Sequence, residues 1–511
     1  MLEYRDIGVN KGHGQHRKQH CWECIRRYLV CDSERPGCKR CFSNGTECPG
    51  YGNAKPTKLR WLAPGQVRSR RTRAKTPLSS NKRSHDKELA SNAVILASFE
   101  RAAITQSNLK TDEFVLVEAM NYYNTCIHPD LLLIHELGPN PYVYPILSTH
   151  LQHGIGLPDH VRYGFICMTL SHRINRIRND VSTQVLTEKC YQYRGLVIRS
   201  LIEDINVKHK YKSDVILAGM MALLLADAQQ GALREWRSHL EAMQQVIILR
   251  GGLNSINRYK HLESLLLCFV FIAVIGDSTS PATDLFLTNS RMEEFDTALE
   301  QYNDFLFVFQ MCPPFLFSEI TNINRLRLQA TKLEFITRNE LYNKATMILA
   351  RVNEFCPEKW GRTKPSRIED WVLMASIYQL AVALYCILSL QSVSVLPSND
   401  PLRIFCAATG HTLLSLLEEG LASRRINRFL LWPLVVLGVE AKHDNPAMRT
   451  FVAKQLPQMS RRAGVYAPLT ALALLERFWA SHVTGWDACF DRPYAFTLQV
   501  AVDVSRVSSA S

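Results

Sequence analysis

Six cysteines stand close together at Cys21, Cys24, Cys31, Cys38, Cys41 and Cys48, in the segment CWECIRRYLVCDSERPGCKRCFSNGTEC. Their gaps read C-x2-C-x6-C-x6-C-x2-C-x6-C, which is one C-x2-C-x6-C unit written twice. Thiols at this density either pair as disulfides or hold a soft metal as thiolates. Disulfides need an oxidising compartment. The stretch from Met1 to His20 is polar and basic and has none of the apolar core of a secretory signal. Metal is therefore the expected chemistry, and the two C-x2-C pairs have the spacing of tetrahedral zinc–thiolate sites.

Counting ligands sharpens that expectation. One zinc ion takes four thiolates and leaves two of the six unexplained, whereas two zinc ions need eight ligand positions. The deficit closes if two sulfurs, one from each repeat, each bridge both ions. By symmetry these are the first of each triplet, Cys21 and Cys38. A rival set would borrow two of His13, His16 and His20. It is disfavoured because the arm before Cys21 is rich in Gly and Lys and offers no fixed ladder to hold them.

Charge points the same way. Residues 1–90 hold 20 lysines and arginines against 8 acidic residues, a net of +12 out of the chain's +13. A cation-rich head on a nearly neutral body suits a polyanionic partner. Within that head, 1–18 reads as a disordered basic arm, 19–52 as the cysteine domain and 53–90 as a flexible linker rich in Pro, Ser, Arg and Lys. The linker carries Arg68, Arg70, Arg71, Arg73 and Lys75, a cluster suited to nuclear import, to phosphate contacts, or to both.

At these spacings, residues 21–48 resemble the fungal binuclear zinc cluster, the two-zinc, six-cysteine DNA-binding domain of fungal transcription factors. All five gaps agree, Pro36 stands where the family turns the loop between its halves, and CDSERPGCKRC, CPGYG and the LRW of Leu59 to Trp61 are shared with a common subgroup. The resemblance implies two short helix-and-strand halves related by an approximate two-fold, with the first and fourth cysteines as the bridging pair. It also implies that the segment after the second cysteine enters the major groove of double-stranded DNA over a CGG-like triplet. Arg26 and Arg27 would then read base edges, since arginine pairs with guanine O6 and N7, while Lys39 and Arg40 would touch phosphates. Tyr28 and Val30 depart from the family, which is often basic there, so the CGG preference is the weaker part of the implication.

From about residue 91 to 490 the pattern is helical nearly throughout, with 491–511 read as a tail, so the fold class is mostly α: a small zinc cluster, a basic linker and a large all-helical regulatory domain. SDVILAGMMALLLADAQQG, with Ser213 as N-cap and Gly231 as stop, reads as a central buried helix. In the next, Trp236, Leu240, Met243 and Ile247 share one face, and Gly251 and Gly252 end it. Further helices are expected near 160–175, 262–275, 370–390 and 466–480. Trp236 and His239 read as packing residues, and the nine cysteines beyond residue 48 as buried structural thiols. The apolar run from Trp371 to Leu390 is interrupted by Ser376, Gln379 and Ser389 and suits a buried helix better than a membrane span.

Through its apolar helix, the W-x2-H-L-x-A of Trp236 to Ala242 and the following LRGG, this body resembles the fungal-specific transcription factor domain. The resemblance implies a regulatory role, with homodimer contacts or a response to a small-molecule effector, and many relatives control secondary-metabolite gene clusters. The segment from Lys87 lacks three clean heptads and reads as a helix leading into the body rather than a zipper. No Gly-rich phosphate loop, G-x-S-x-G or H-E-x-x-H occurs, and no enzyme is expected. The expected function is sequence-specific DNA binding in the nucleus to regulate RNA polymerase II transcription. The alternative is a zinc-dependent protein- or RNA-binding module on a helical scaffold.

Overall fold

The computed structural model describes residues 21, 24, 31–43 and 48 near the N-terminus. Further on it describes 112–138, 143–147, 157–178, 182–207, 213–230, 235–256, 262–288, 294–295, 312–332, 337–443 and 445–498. The chain divides into two compact units, Met1–Ala93 and Val94–Ser511. Among the described residues every regular element is a helix and no strand occurs. The first unit contributes α1 (Lys39–Ser43).

The second unit opens with α2 (Asp112–Tyr122), α3 (His128–Leu132), α4 (Asp159–Ile177), α5 (Ser182–Asn206), α6 (Asp214–Gln230), α7 (Glu235–Leu249), α8 (Leu253–Ile256) and α9 (Glu263–Ser278). It continues with α10 (Pro314–Lys332), α11 (Arg338–Glu354), α12 (Pro357–Gly361), α13 (Ile368–Ser392) and α14 (Asp400–Ala422). Last come α15 (Leu431–Glu440), α16 (Pro446–Ala463), α17 (Ala467–Ala480) and α18 (Trp486–Cys489).

Helix α13 is the axis of this unit. It is apolar on all sides, and α10, α11, α12, α14, α15 and α18 pack around it. By length and composition it could cross a membrane, but most of its apolar window is enclosed by the other helices. Helix starts are fixed locally. Thr337 and Glu340 form a reciprocal capping box at α11, and Asn399 and Asn445 accept backbone N–H bonds at the starts of α14 and α16.

The helices expected from apolar periodicity are present with their ends shifted by a few residues. Ser213 directly precedes α6, and Gly251 and Gly252 follow α7 with φ of +98° and +85°. The inward face of α7 is Trp236, Leu240, Met243 and Ile247, all buried. Trp236 explains Gly276: a Cβ there would lie 2.7 Å from the indole, so α7 and α9 approach closely only because that residue is glycine.

Three expectations need correction. His239 is not a plain packing residue, since its Nε2 lies 2.9 Å from the buried Asp227 carboxylate, which Arg194 also grips at 2.9 and 3.0 Å. The cysteines beyond residue 48 are not uniformly buried: Cys356 is exposed, and Cys126 and Cys190 are half-buried. Nor does the packed chain end at residue 490. Tyr494, Ala495, Phe496 and Leu498 are buried, and Tyr494 exchanges hydrogen bonds with Thr279 at 3.2 and 2.6 Å. The arm before Cys21, the linker and the segment from Lys87 into its expected helix lie outside the described residues.

One buried cation ties the core together. Arg327 of α10 is wholly buried and donates to the carbonyls of Asp277 (2.8 Å) and Ser280 (2.6 Å), to Tyr385 Oη (3.1 Å) and to Asp487 (2.8 Å). It thereby joins α9, α10, α13 and α18. Truncating such a group strands its partners, so Arg327→Ala should destabilise the body by about 3–5 kcal/mol, read as a lowered urea midpoint.

Candidate metal centre

In the described part of the N-terminal unit the core is sulfur. Cys21, Cys24, Cys31, Cys38 and Cys41 are buried and Cys48 is half-buried, and among the described residues they pack on one another. Two sets of four sulfurs gather there: Cys21, Cys24, Cys31 and Cys38, and Cys21, Cys38, Cys41 and Cys48. Within each set all four lie inside 4.8 Å of one another. Cys21 and Cys38 belong to both sets, the pair singled out by the ligand count.

The spacing suits zinc. With Zn–S bonds of about 2.3 Å, a tetrahedron has S···S edges of about 3.8 Å. Here the sulfur of Cys21 lies 3.6 Å from Cys38 and 3.7 Å from Cys41, and Cys38 lies 3.6 Å from Cys24 and 4.0 Å from Cys48. Each shared sulfur accepts the backbone N–H three residues on: Cys24 to Cys21 Sγ at 3.4 Å and Cys41 to Cys38 Sγ at 3.3 Å. This matched pair of bonds is the two-fold repeat of the sequence written in structure. The two N–H groups direct partial positive charge at the sulfurs that would carry the most metal contacts.

Local sequence explains how the halves are brought round. Ser33 adopts a positive φ of 63°, and the Arg35–Pro36 peptide bond is cis. Gly37 passes against Cys48, where a Cβ would stand 3.0 Å from the Cys48 Cβ. Asp32 then accepts the Lys39 backbone N–H at 2.9 Å, ahead of the single turn of α1. On α1, Cys41 points into the sulfur core while Lys39, Arg40 and Phe42 are exposed. Lys39 Nζ lies 2.5 Å from the Glu34 carboxylate, which raises its pKa. The acidic loop residues Asp32 and Glu34 were not among the expected site residues. Their alternation with the basic pair in CDSERPGCKRC was the available signal. Arg26, Arg27, Tyr28 and Val30, and the cluster Arg68, Arg70, Arg71, Arg73 and Lys75, lie outside the described residues.

The chain matches the fungal specific transcription factor domain over residues 118–492. It belongs to that family and is a transcriptional regulator. It is 45% identical over 496 residues to the phomenoic acid biosynthesis cluster-specific transcriptional regulator of Leptosphaeria maculans, a match covering 96% of this chain and 92% of that one. It is also 46% identical over 43 residues, 8% of this chain and 7% of the other, to the acriflavine sensitivity control protein acr-2 of Neurospora crassa. No solved structure matches it.

Desolvation sets the site's response to pH. Burial raises the thiol pKa values of Cys21 and Cys24 and pushes that of Cys41 up to about 12. At neutral pH an arriving cation must displace protons from these groups. Metal affinity should therefore rise with pH, by about tenfold per pH unit for each proton displaced, and fall on acidification. Competition against a chromophoric chelator at several pH values measures the slope, and a pH-independent affinity would contradict proton displacement.

Proposed function

We propose that this chain is a zinc-dependent, sequence-specific DNA-binding regulator of RNA polymerase II transcription that works in the nucleus and controls a secondary-metabolite biosynthesis gene cluster. The observation that carries this reading is the pair of four-sulfur groups sharing Cys21 and Cys38. Six thiolates would hold two zinc ions, with Cys21 and Cys38 bridging, and would fold a segment that has few apolar residues in its sequence. A ligand set made only of thiolates leaves no position for water, which suits a structural metal and a protein that catalyses no reaction.

DNA recognition would divide by residue. Arg26 and Arg27 are assigned the base edges of a CGG-like triplet, and the exposed Arg40 a phosphate. Lys39 would reach a phosphate by exchanging Glu34 for it, a small cost for an exposed ion pair. Arg68, Arg70, Arg71, Arg73 and Lys75 are assigned to nuclear import or to the DNA backbone. The helical body takes the regulatory part, through a homodimer contact or an effector. The gene-cluster role rests on similarity along nearly the whole chain to a regulator named for one.

Selection of bound duplexes from a random pool tests the reading. An enriched CGG-containing site is expected, duplicated at a fixed spacing if the protein binds as a dimer. Arg27→Ala should flatten the preference at one base position by about 1–3 kcal/mol, whereas Lys39→Ala should weaken binding evenly across sequences. A pool that emerges without an enriched sequence would sink the DNA-reading role and leave the protein- or RNA-binding module in its place.

A further inference from the structure

The helical body contains a cavity of about 290 Å³ lined by four arginines. Arg176 comes from the end of α4, Arg424 and Arg428 from the chain between α14 and α15, and Arg462 from α16. Asp130 is the one acidic residue in the lining, and it is already shared, 3.3 Å from Arg176 and 3.8 Å from Arg424. The cavity wall therefore carries an excess of positive charge.

Arg428 is the least exposed of the four. Its Nε and Nη1 are closed to solvent and have no hydrogen-bond partner among the described residues. Burial lowers its pKa, opposed by the attraction of Asp130 and Tyr123. The neighbouring His172 adds no positive charge of its own, because burial, with Arg176 and Arg428 nearby, pulls its pKa down to about 3 and keeps the ring neutral. Solvent-closed N–H groups left unmatched on a half-buried guanidinium are destabilising, and replacing such a cation with an apolar side chain often stabilises a protein. Arg176, Arg424 and Arg462 are exposed, so cations of the wall face the solvent from which a ligand would enter. Leu133, Leu421 and Met459 supply an apolar side to the same cavity.

We propose that this cavity binds a small organic oxyanion, a carboxylate or a phosphate ester, whose charged end is taken by Arg424 and Arg462 at the mouth, with the positive charge of Arg428 behind them. The apolar part of the ligand lies along Leu133, Leu421 and Met459. This goes beyond DNA recognition and does not depend on it: the N-terminal unit can read DNA or fail to, and the cavity's chemistry is unchanged.

Thermal melting of the zinc-loaded full-length chain provides the test, with octanoate, succinate, glycerol phosphate and inorganic phosphate each added at constant ionic strength. At least one should raise the melting temperature by about 2 °C or more, increasing with concentration. A carboxylate-only or phosphate-only response identifies the headgroup. Arg428→Met should melt at or above the wild type without ligand and lose the response, with affinity at least about tenfold weaker. Arg462→Gln, at an exposed position, keeps the fold and should also weaken binding in a calorimetric titration, which preserves the test if the Arg428 variant fails to fold. The proposal is overturned if none of the anions shifts the wild type, if the shift is the same in Arg428→Met, or if Arg462→Gln binds with unchanged affinity.

Discussion

Six sulfur atoms drawn to within bonding distance of common centres form an arrangement that thiols alone do not maintain. As thiolates they would repel one another, and as thiols they make only weak hydrogen bonds. Cations placed among them resolve both difficulties, and the sulfurs lie at the separations two such cations would require. The rest of the N-terminal unit follows from that constraint. The positive φ at Ser33, the glycine that lets Cys48 approach and the Asp32 bond ahead of α1 all bring the second repeat back against the first.

The helical body is held by different means. Its centre is α13, an apolar helix surrounded by others, and buried polar side chains anchor the helices to one another. Arg327 and Asp227 are each enclosed and each held by several partners: carbonyls, a tyrosine and a carboxylate around the two terminal nitrogens of Arg327, and an arginine and a histidine around Asp227. Arg428 differs in place, because it lines a cavity shared with three other arginines.

Much of this was legible in the sequence because the signals were local. Cysteine gaps within 28 residues point to a sulfur cluster and, through the ligand count, to the pair Cys21 and Cys38 that the two four-sulfur groups share. The period of Trp236, Leu240, Met243 and Ile247 marks a helix and its inward face. What escaped were relations between distant positions. Nothing near His239 shows that Asp227 lies opposite it, nothing near Tyr494 shows that Thr279 receives it, and the cluster of Arg424 and Arg428 looks like a solvated turn until Arg176 and Arg462 close over it. Lys39 was assigned to phosphate with no partner foreseen inside the chain, because a loop acid five residues earlier, Glu34, shows no helical register with it.

The central claim is that Cys21 and Cys38 each serve two metal ions, and native mass spectrometry of the zinc-loaded chain tests it directly. The account predicts two zinc ions per chain, both weakened together by Cys21→Ser or Cys38→Ser, whereas Cys24→Ser disturbs only the ion of its own group. A single zinc ion per chain, or loss of just one ion on replacing Cys21, would contradict it.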